Sequence, residues 1–161
     1  MKPAAREVVK LAISQVGYKA PGPGKCNKYA KYIDSHFKTF YNGKKNGADW
    51  CDVFVDWCVL YKAQNAKDAE YVLCQPAKSC GAGVGWSWKY YKAKKRTSST
   101  PKLGYQIFLN KLKHTGIVVD VDSKYVYYVA GNEGGGHGEV KKHKLLKTST
   151  KIYGYGRPRY G

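Results

Sequence analysis

One cysteine, one histidine and one asparagine stand where they could act together on a carbonyl carbon. Cys51 lies in the first turn of an apolar helical segment, where unpaired backbone N–H groups and the helix dipole favour a thiolate. His114 opens one β-rich segment and Asn132 follows the next. A thiolate nucleophile, an imidazole that transfers protons and an amide that orients the imidazole are the parts of a thiol hydrolase.

The pairing of the two β-rich segments decides whether His114 and Asn132 can meet. A three-residue hairpin loop at 122–124 makes Val121 face Tyr125. His114 then faces Asn132, with Cβ atoms about 4.5 to 5.5 Å apart. The Asn132 amide oxygen could accept the Nδ1 proton of His114 and leave Nε2 for the thiol. A loop that differs by one residue would put the two side chains on opposite faces.

Each of the three residues also has a purely structural interpretation. Cys51 would be a buried thiol, as Cys58 on the same helix is predicted to be. His114 would be a histidine at a strand edge, and Asn132 a turn residue before a glycine-rich stretch. The remaining histidines are interpreted as solvent-facing surface or loop residues; they are His36, His137 and His143.

The charges beside Cys51 make a histidine partner a requirement. Asp49 is the predicted helix N-cap, and Asp52 lies one residue beyond the thiol. Both carboxylates oppose a thiolate electrostatically, so the helix dipole alone need not suffice. We therefore expect a nearby imidazolium to stabilise the Cys51 thiolate.

The elements that must position these residues are segregated along the chain. Helical periodicity covers residues 4–16, 27–37, 68–74 and 84–94, as well as a longer segment that begins at Asp49. From Pro101 the period changes to two, which predicts strands at 105–109, 115–121, 125–130, 140–146 and 152–155. Helices followed by strands predict an α+β fold in which N-terminal helices pack on a C-terminal antiparallel sheet.

The helix from Asp49 is predicted to be the core helix. Its apolar residues follow helical spacing and leave only a narrow polar strip at Asp52 and Asp56. Six of them form the main stripe: Trp50, Val53, Phe54, Trp57, Cys58 and Tyr61. A helix of this kind must be buried, so the docking of this helix on the sheet decides where Cys51 lies.

Composition and charge limit the classes of function. The chain has 161 residues, 14% of them aromatic, which predicts one globular domain over 1–161. The net charge is +18, and the protein is expected to be a monomer. No apolar run approaches the length of a membrane span, and no signal peptide is visible. The positive field would attract polyanions such as nucleic acid, anionic lipid or wall polymers, or it serves only solubility.

The five cysteines do not form a complete disulfide framework. Their number is odd, and no CxxC pair is present, so at least one thiol stays free. Cys74 and Cys80 could close a small loop under oxidising conditions, whereas zinc ligation would need two further ligands. No metal and no cofactor are expected.

The candidate residues belong to a longer pattern that resembles the CHAP domain, the cysteine- and histidine-dependent amidohydrolase/peptidase of phage endolysins and bacterial wall hydrolases. The resemblance rests on NGADWCDVFVDWC at 46–58, PKLG at 101–104, KHTGIV at 113–118, GN at 131–132 and YGYGRP at 153–158. It runs nearly from end to end.

The resemblance implies a papain-like, NlpC/P60-type fold and hydrolysis of an amide in peptidoglycan, between muramic acid and L-alanine or within the stem or crossbridge. Cys51 corresponds to the nucleophile, His114 to the base and Asn132 to the polar residue of the family's Glu-Gly-Asn segment. Four neighbouring or groove-lining residues are expected to bind substrate: Asp49, Trp50, Trp86 and Trp88. The protein is expected to act at the bacterial wall, with teichoic acids as a further partner, and to leave the cytoplasm without a signal peptide.

Two positions depart from the family's pattern. Ala130 replaces the glutamate, and Tyr105 stands where an aspartate is common. Glu133 has the opposite strand parity, so it cannot replace that glutamate unless the strand bends. These departures leave a catalytically weak or inactive wall-binding homologue as one alternative to an active hydrolase, and the positive charge leaves a basic nucleic-acid-binding domain as another. The second has charge but no recognition motif, so nucleic acid is not expected as the partner.

Overall fold

The computed structural model describes residues 1–22, 24–81, 83–133 and 138–161. Five helices occupy the N-terminal part of this described chain, and six strands follow them, so the α+β prediction is confirmed. The helices are α1 (Ala5–Ser14), α2 (Lys28–His36), α3 (Cys51–Ala63), α4 (Ala66–Leu73) and α5 (Val84–Ala93). The strands are β1 (Thr97–Ser98), β2 (Gln106–Leu109), β3 (His114–Val121), β4 (Tyr125–Glu133), β5 (Glu139–Leu146) and β6 (Ile152–Gly156). Among the described residues, no helix has the length and apolar character needed to cross a membrane.

The strands form one antiparallel sheet in the order β1-β6-β2-β3-β4-β5. Strand β1, only two residues long, is too short to be detected by periodicity, and it pairs with β6 at the sheet edge. The other five strands and all five helices lie close to their predicted positions. The sequence therefore predicts the elements, and their ends differ by a few residues.

Helix α3 is the core helix, as its periodicity predicts. Every residue from Cys51 to Leu60 is buried, and the surrounding cluster joins α1, α2 and α4 to the inner face of β3 and β4. Tyr29 of α2 packs edge-on against the ring of Phe54, with centroids 5.0 Å apart. Because the helix is packed on all sides, its first residue is held at a fixed place relative to the sheet.

The opposite sheet face carries a separate apolar cluster that is built from strand residues. We call it the far-face cluster, and it consists of Ile107, Leu109, Val118, Val126, Tyr128, Ala130 and Tyr155. His114 pairs with Leu109 across β2 and β3, so strand alternation places it on this face, while Thr115 faces the helices. His114 is also the first residue of its strand, so it lies at the edge where the two faces meet.

The β3–β4 hairpin differs from its predicted form at the turn. Val121 pairs with Val126, and not with Tyr125, because the Asp122 carboxylate accepts the backbone N–H groups of Lys124 and Tyr125 at 2.9 and 2.7 Å and draws Tyr125 into the turn. A register shift between Val118 and Asp120 then restores the predicted pairing farther along. The one-residue change at the turn and the one-residue register shift thus cancel before the strands reach His114 and Asn132.

Candidate active site

Cys51 is the first residue of α3, so the helix begins one residue later than an N-cap at Asp49 implies. Trp50 occupies the capping position without a side-chain cap, so the prediction that Asp49 caps the helix is wrong. The Asp49 carboxylate instead accepts hydrogen bonds from Lys25 and, at 3.2 Å, from the Asn132 amide. These partners draw the carboxylate away from the helix start.

The sulfur of Cys51 is held against strand β3. The backbone N–H groups of Asp52 and Thr115 donate hydrogen bonds to it, and Thr115 follows His114 in the chain. The side chains of Cys51 and His114 both line a cavity of about 360 Å³. The other lining residues are Asp49, Val84, Leu112, Lys113 and Asn132. The structure therefore brings the three predicted catalytic residues together around one small cavity.

The Cys51 thiol is neutral at pH 7 in this environment. Burial raises its pKa to about 12, and the Asp52 charge acts in the same direction, while the two backbone hydrogen bonds lower it only in part. The predicted preference for the thiolate is therefore wrong for the resting protein, because desolvation outweighs the helix dipole. Attack by Cys51 requires a base that removes its proton.

Glu133, and not Asn132, contacts the His114 ring. Its Oε1 pairs with His114 Nε2, which corrects the prediction that the Asn132 amide oxygen accepts a proton from the ring. Burial alone would raise the pKa of Glu133, but hydrogen bonds and charge interactions with His114 and His143 outweigh that effect and lower it. A carboxylate that is ionised at neutral pH therefore lies against the His114 ring.

A bend in β4 brings Glu133 to this position. Asn132 has a φ of +57°, and the pairing of β4 with β5 shifts register between Ala130 and Glu133. Asparagine tolerates this left-handed conformation better than most residues do. The shift moves the Glu133 side chain to the other face of the strand. Glu133 can therefore stand in for the glutamate that the CHAP pattern has at the position of Ala130. Ala130 meanwhile stays in the far-face cluster.

The backbone next to the bend passes close to the core tryptophan. A Cβ at Gly131 would lie 2.7 Å from a ring carbon of Trp50, so a glycine is needed at that position. Trp50 itself is 0% exposed and lies among the aromatic residues of the core. The expectation that Trp50 binds substrate is therefore corrected, because its side chain is buried in the core beneath the site.

The other residues expected to bind substrate are placed differently. Asp49 lines the cavity. Trp86 is 47% exposed on α5 with the Lys89 ammonium 4.8 Å from its ring centre, and Trp88 packs edge-on against Phe108 at 5.2 Å. Neither ring lines the cavity, so their binding role stays a prediction.

Two of the three remaining histidines can be placed. His36 stacks on Tyr32 with ring centres 4.2 Å apart on the exposed side of α2, as expected for a surface residue. His143 is predicted to be solvent-facing, but its Nε2 pairs with Oε2 of Glu133. That prediction is corrected, since the bend in β4 brings the carboxylate to it. His137 lies outside the described residues.

All five thiols are free, so Cys74 and Cys80 are not joined by a disulfide.

A buried polar network lies behind Cys51. The Asp52 carboxylate accepts hydrogen bonds from Ser87 of α5 at 2.5 Å and from Gln106 of β2 at 2.9 Å. The Gln106 amide also donates to Thr115 Oγ1 at 2.9 Å. This network joins the helix that carries the thiol to the strand that carries the histidine, and so fixes their relative positions.

The buried carboxyls of α3 predict a stability that falls with rising pH. Burial raises the pKa of Asp52 to about 6 and that of Asp56 well above its ordinary value. A raised folded-state pKa gives stability that is complete below the unfolded value, about 4, and is lost as the pH rises from there through about 6. We expect the melting temperature to fall between pH 4 and pH 7.5, and to fall less in Asp52→Asn.

Thermal unfolding followed by circular dichroism at constant ionic strength measures this effect. The exposed Asp120 provides the matched control, and Asp120→Asn should keep the wild-type slope. Histidines titrate in the same range, so the informative quantity is the difference between each variant and wild type. An Asp52→Asn slope equal to that of wild type would show that Asp52 is ionised in the fold without cost.

The comparisons with known proteins add one finding about the fold. No family model and no curated protein sequence matches the chain. The crystal structure of Ly7917 with the hydrolyzing product of MDP aligns with 96% of this chain at a TM-score of 0.60 and 16% sequence identity. The chain covers 62% of the Ly7917 chain. The chain is thus similar to Ly7917 in its fold.

Proposed function

We propose that this chain is a cysteine-dependent peptidoglycan hydrolase that cleaves an amide bond of the bacterial cell wall. The observation that carries the proposal is the cavity bordered by Cys51 and His114, with Glu133 behind the imidazole. The resemblance to CHAP domains and the fold shared with Ly7917, solved with a product of the peptidoglycan fragment MDP, support the same substrate class. Residues 1–161 form the catalytic domain.

The chemistry begins from the neutral thiol. Glu133 holds Nε2 of His114, which leaves Nδ1 to take the Cys51 proton; this reverses the two nitrogen roles expected from the sequence. As the proton moves to the imidazole, the sulfur forms a bond to the scissile carbonyl carbon. Backbone N–H groups at the start of α3 stabilise the resulting oxyanion.

Breakdown of the tetrahedral intermediate completes the reaction. The C–N bond breaks, and the His114 imidazolium gives its proton to the leaving amine. His114 then takes a proton from water, which attacks the thioester and releases the carboxylate product and the Cys51 thiol. The substrate is an N-acetylmuramoyl-L-alanine amide or a peptide bond of the stem or crossbridge.

The net charge of +18 suits an enzyme that works on an anionic surface. Teichoic polymers would hold the protein at the bacterial wall by long-range attraction, which salt screens. A nucleic-acid-binding function has the same charge in its favour, but nothing specific in the site supports it.

The roles of Glu133 and Asn132 can be separated by substitution. Glu133→Gln should lower the rate of peptidoglycan hydrolysis by roughly 10- to 100-fold, because the amide removes the charge that supports the imidazolium. Asn132→Gly should cost less, because glycine keeps the left-handed bend before Glu133 and removes only the amide that hydrogen-bonds to Asp49. Turbidity loss of purified cell walls measures both rates, and a larger effect of Asn132→Gly would restore asparagine as the partner of His114.

Mass spectrometry of digested peptidoglycan tests the proposed function. Purified walls from several bacteria, with and without teichoic acids, are incubated with the protein, and the soluble fragments are analysed. Hydrolysis predicts fragments with one new amine and one new carboxylate, which identify the bond. Protein that binds to the walls and yields no new ends would be a wall-binding domain, and the hydrolase proposal would be wrong.

A further inference from the structure

Glu133 lies between two histidines and uses a different oxygen for each. Oε1 pairs with Nε2 of His114, and Oε2 pairs with Nε2 of His143. The carboxylate side chain is 15% exposed and that of His143 is 39% exposed. The proposed mechanism uses His114 and Glu133 but assigns nothing to His143.

The position of His143 is set by the sheet. It lies opposite Tyr128 in the β4–β5 pairing, and the two rings are 5.6 Å apart between centres. Both histidines and Glu133 line a second cavity of about 360 Å³, distinct from the cavity of Cys51. Solvent protons can therefore reach His143 without passing the thiol.

We propose that His143 is a positioning residue, which holds Glu133 against His114 and adjusts the acid side of the pH profile. This inference rests on the proposed hydrolase function. Neutral His143 donates its Nε2 proton to Glu133 and limits the carboxylate to orientations that contact His114. Its role is to act through Glu133, because it lies on the far side of that carboxylate from His114.

Protonation of His143 changes the charge that His114 experiences. A cation on Oε2 partly neutralises the Glu133 carboxylate, so the carboxylate stabilises a positive charge on His114 less strongly. A base must be neutral to accept the thiol proton, so the wild-type enzyme should stay active to lower pH than an enzyme without this second charge.

Other charged and titratable groups also face His143. Glu139 pairs with Glu133 across β4 and β5, and Lys144 and Lys151 line the cavity. Tyr128 and the neighbouring Lys141 of β5 complete this set. Lysines carry the same charge throughout the pH range of the test, so they add no pH-dependent difference between the variants.

Two substitutions separate positioning from mere packing. Glutamine places an N–H donor at a similar distance from the backbone and does not titrate, whereas alanine removes both properties. We expect His143→Ala to lower kcat about tenfold and His143→Gln to restore it to within about threefold of wild type. We expect both variants to shift the acid limb of kcat/KM upward by roughly half a pH unit or more.

The experiment measures wall hydrolysis from pH 4.5 to 8 for wild type, both variants and the surface control His36→Gln, with circular dichroism to check folding. Unchanged kcat and acid limbs in both His143 variants would overturn the inference while leaving the hydrolase intact. Ring-nitrogen NMR titration of His114 provides a readout without turnover, and its midpoint should rise in His143→Gln. An inactive wild type would refute the proposed function, and an unchanged His114 midpoint would refute the histidine coupling.

Discussion

Cys51→Ala is expected to abolish peptidoglycan hydrolysis while the fold stays intact. The substitution removes the only protein atom in the proposed mechanism that forms a bond to the carbonyl carbon, so turnover should fall by at least about 10⁴-fold. Alanine suits the first turn of a helix, and what the sulfur loses is a pair of hydrogen bonds from the backbone of Asp52 and Thr115. Release of soluble wall fragments measures the activity, and circular dichroism confirms the fold.

Two other cysteines provide matched controls for this result. Cys58 lies on the same helix, fully buried, and Cys58→Ala should lower the melting temperature while leaving the activity of the folded protein near that of wild type. Cys26 is exposed, and Cys26→Ser should change neither property. Turnover by pure Cys51→Ala protein would remove the nucleophile assignment.

His114→Ala is expected to have the second-largest effect. The neutral Cys51 thiol cannot attack until a base removes its proton, and the same group must later protonate the leaving amine. Loss of both steps should lower the rate by about 10²- to 10⁴-fold. The side chain lies at the first residue of β3, so its removal leaves the sheet pairing unchanged.

His114→Gln distinguishes proton transfer from the contact with Glu133. Glutamine can donate a hydrogen bond to the carboxylate but cannot accept the thiol proton at neutral pH and release it again. Its wall-hydrolysis rate should therefore be as low as that of the alanine variant. A glutamine variant within about threefold of wild type would show that His114 only orients its neighbours.

Much of this arrangement follows from regular periodicity in the sequence. Helix α3 carries apolar residues around nearly its whole circumference, which predicts both its burial and the docking of Cys51 on the sheet. His114 opens a strand with period-two alternation, and the strand begins there in the structure. The pairing of these two residues around one cavity was thus predictable because both elements are regular.

The contacts of Glu133 were not predictable because they depend on an irregularity. Strand parity assumes a regular strand, whereas the left-handed Asn132 changes the parity of the residue after it. Asparagine followed by glutamate and glycines does signal a bend, but it does not say toward which face the carboxylate turns. The contact between His143 and Glu133 likewise depends on the pairing of β4 with β5.

The protonation of Cys51 shows a second limit of sequence reasoning. The position at a helix start predicts a thiolate, whereas burial depends on how α3, α5 and β3 pack together. Val84 and Phe108 come from distant parts of the chain and pack in the same buried cluster as Cys51. Desolvation by such contacts is a tertiary effect, and it reverses the direction of the pKa shift that the helix alone would give.

Alkylation of Cys51 by iodoacetamide, mapped residue by residue while wall hydrolysis is followed, tests most directly whether this sulfur performs the reaction. Exposed Cys26 should react first without loss of activity. Residual activity should then fall in proportion to the unmodified fraction of Cys51 and reach zero when Cys51 is fully carboxamidomethylated. Full hydrolysis by protein whose Cys51 is completely modified would contradict the thiol mechanism.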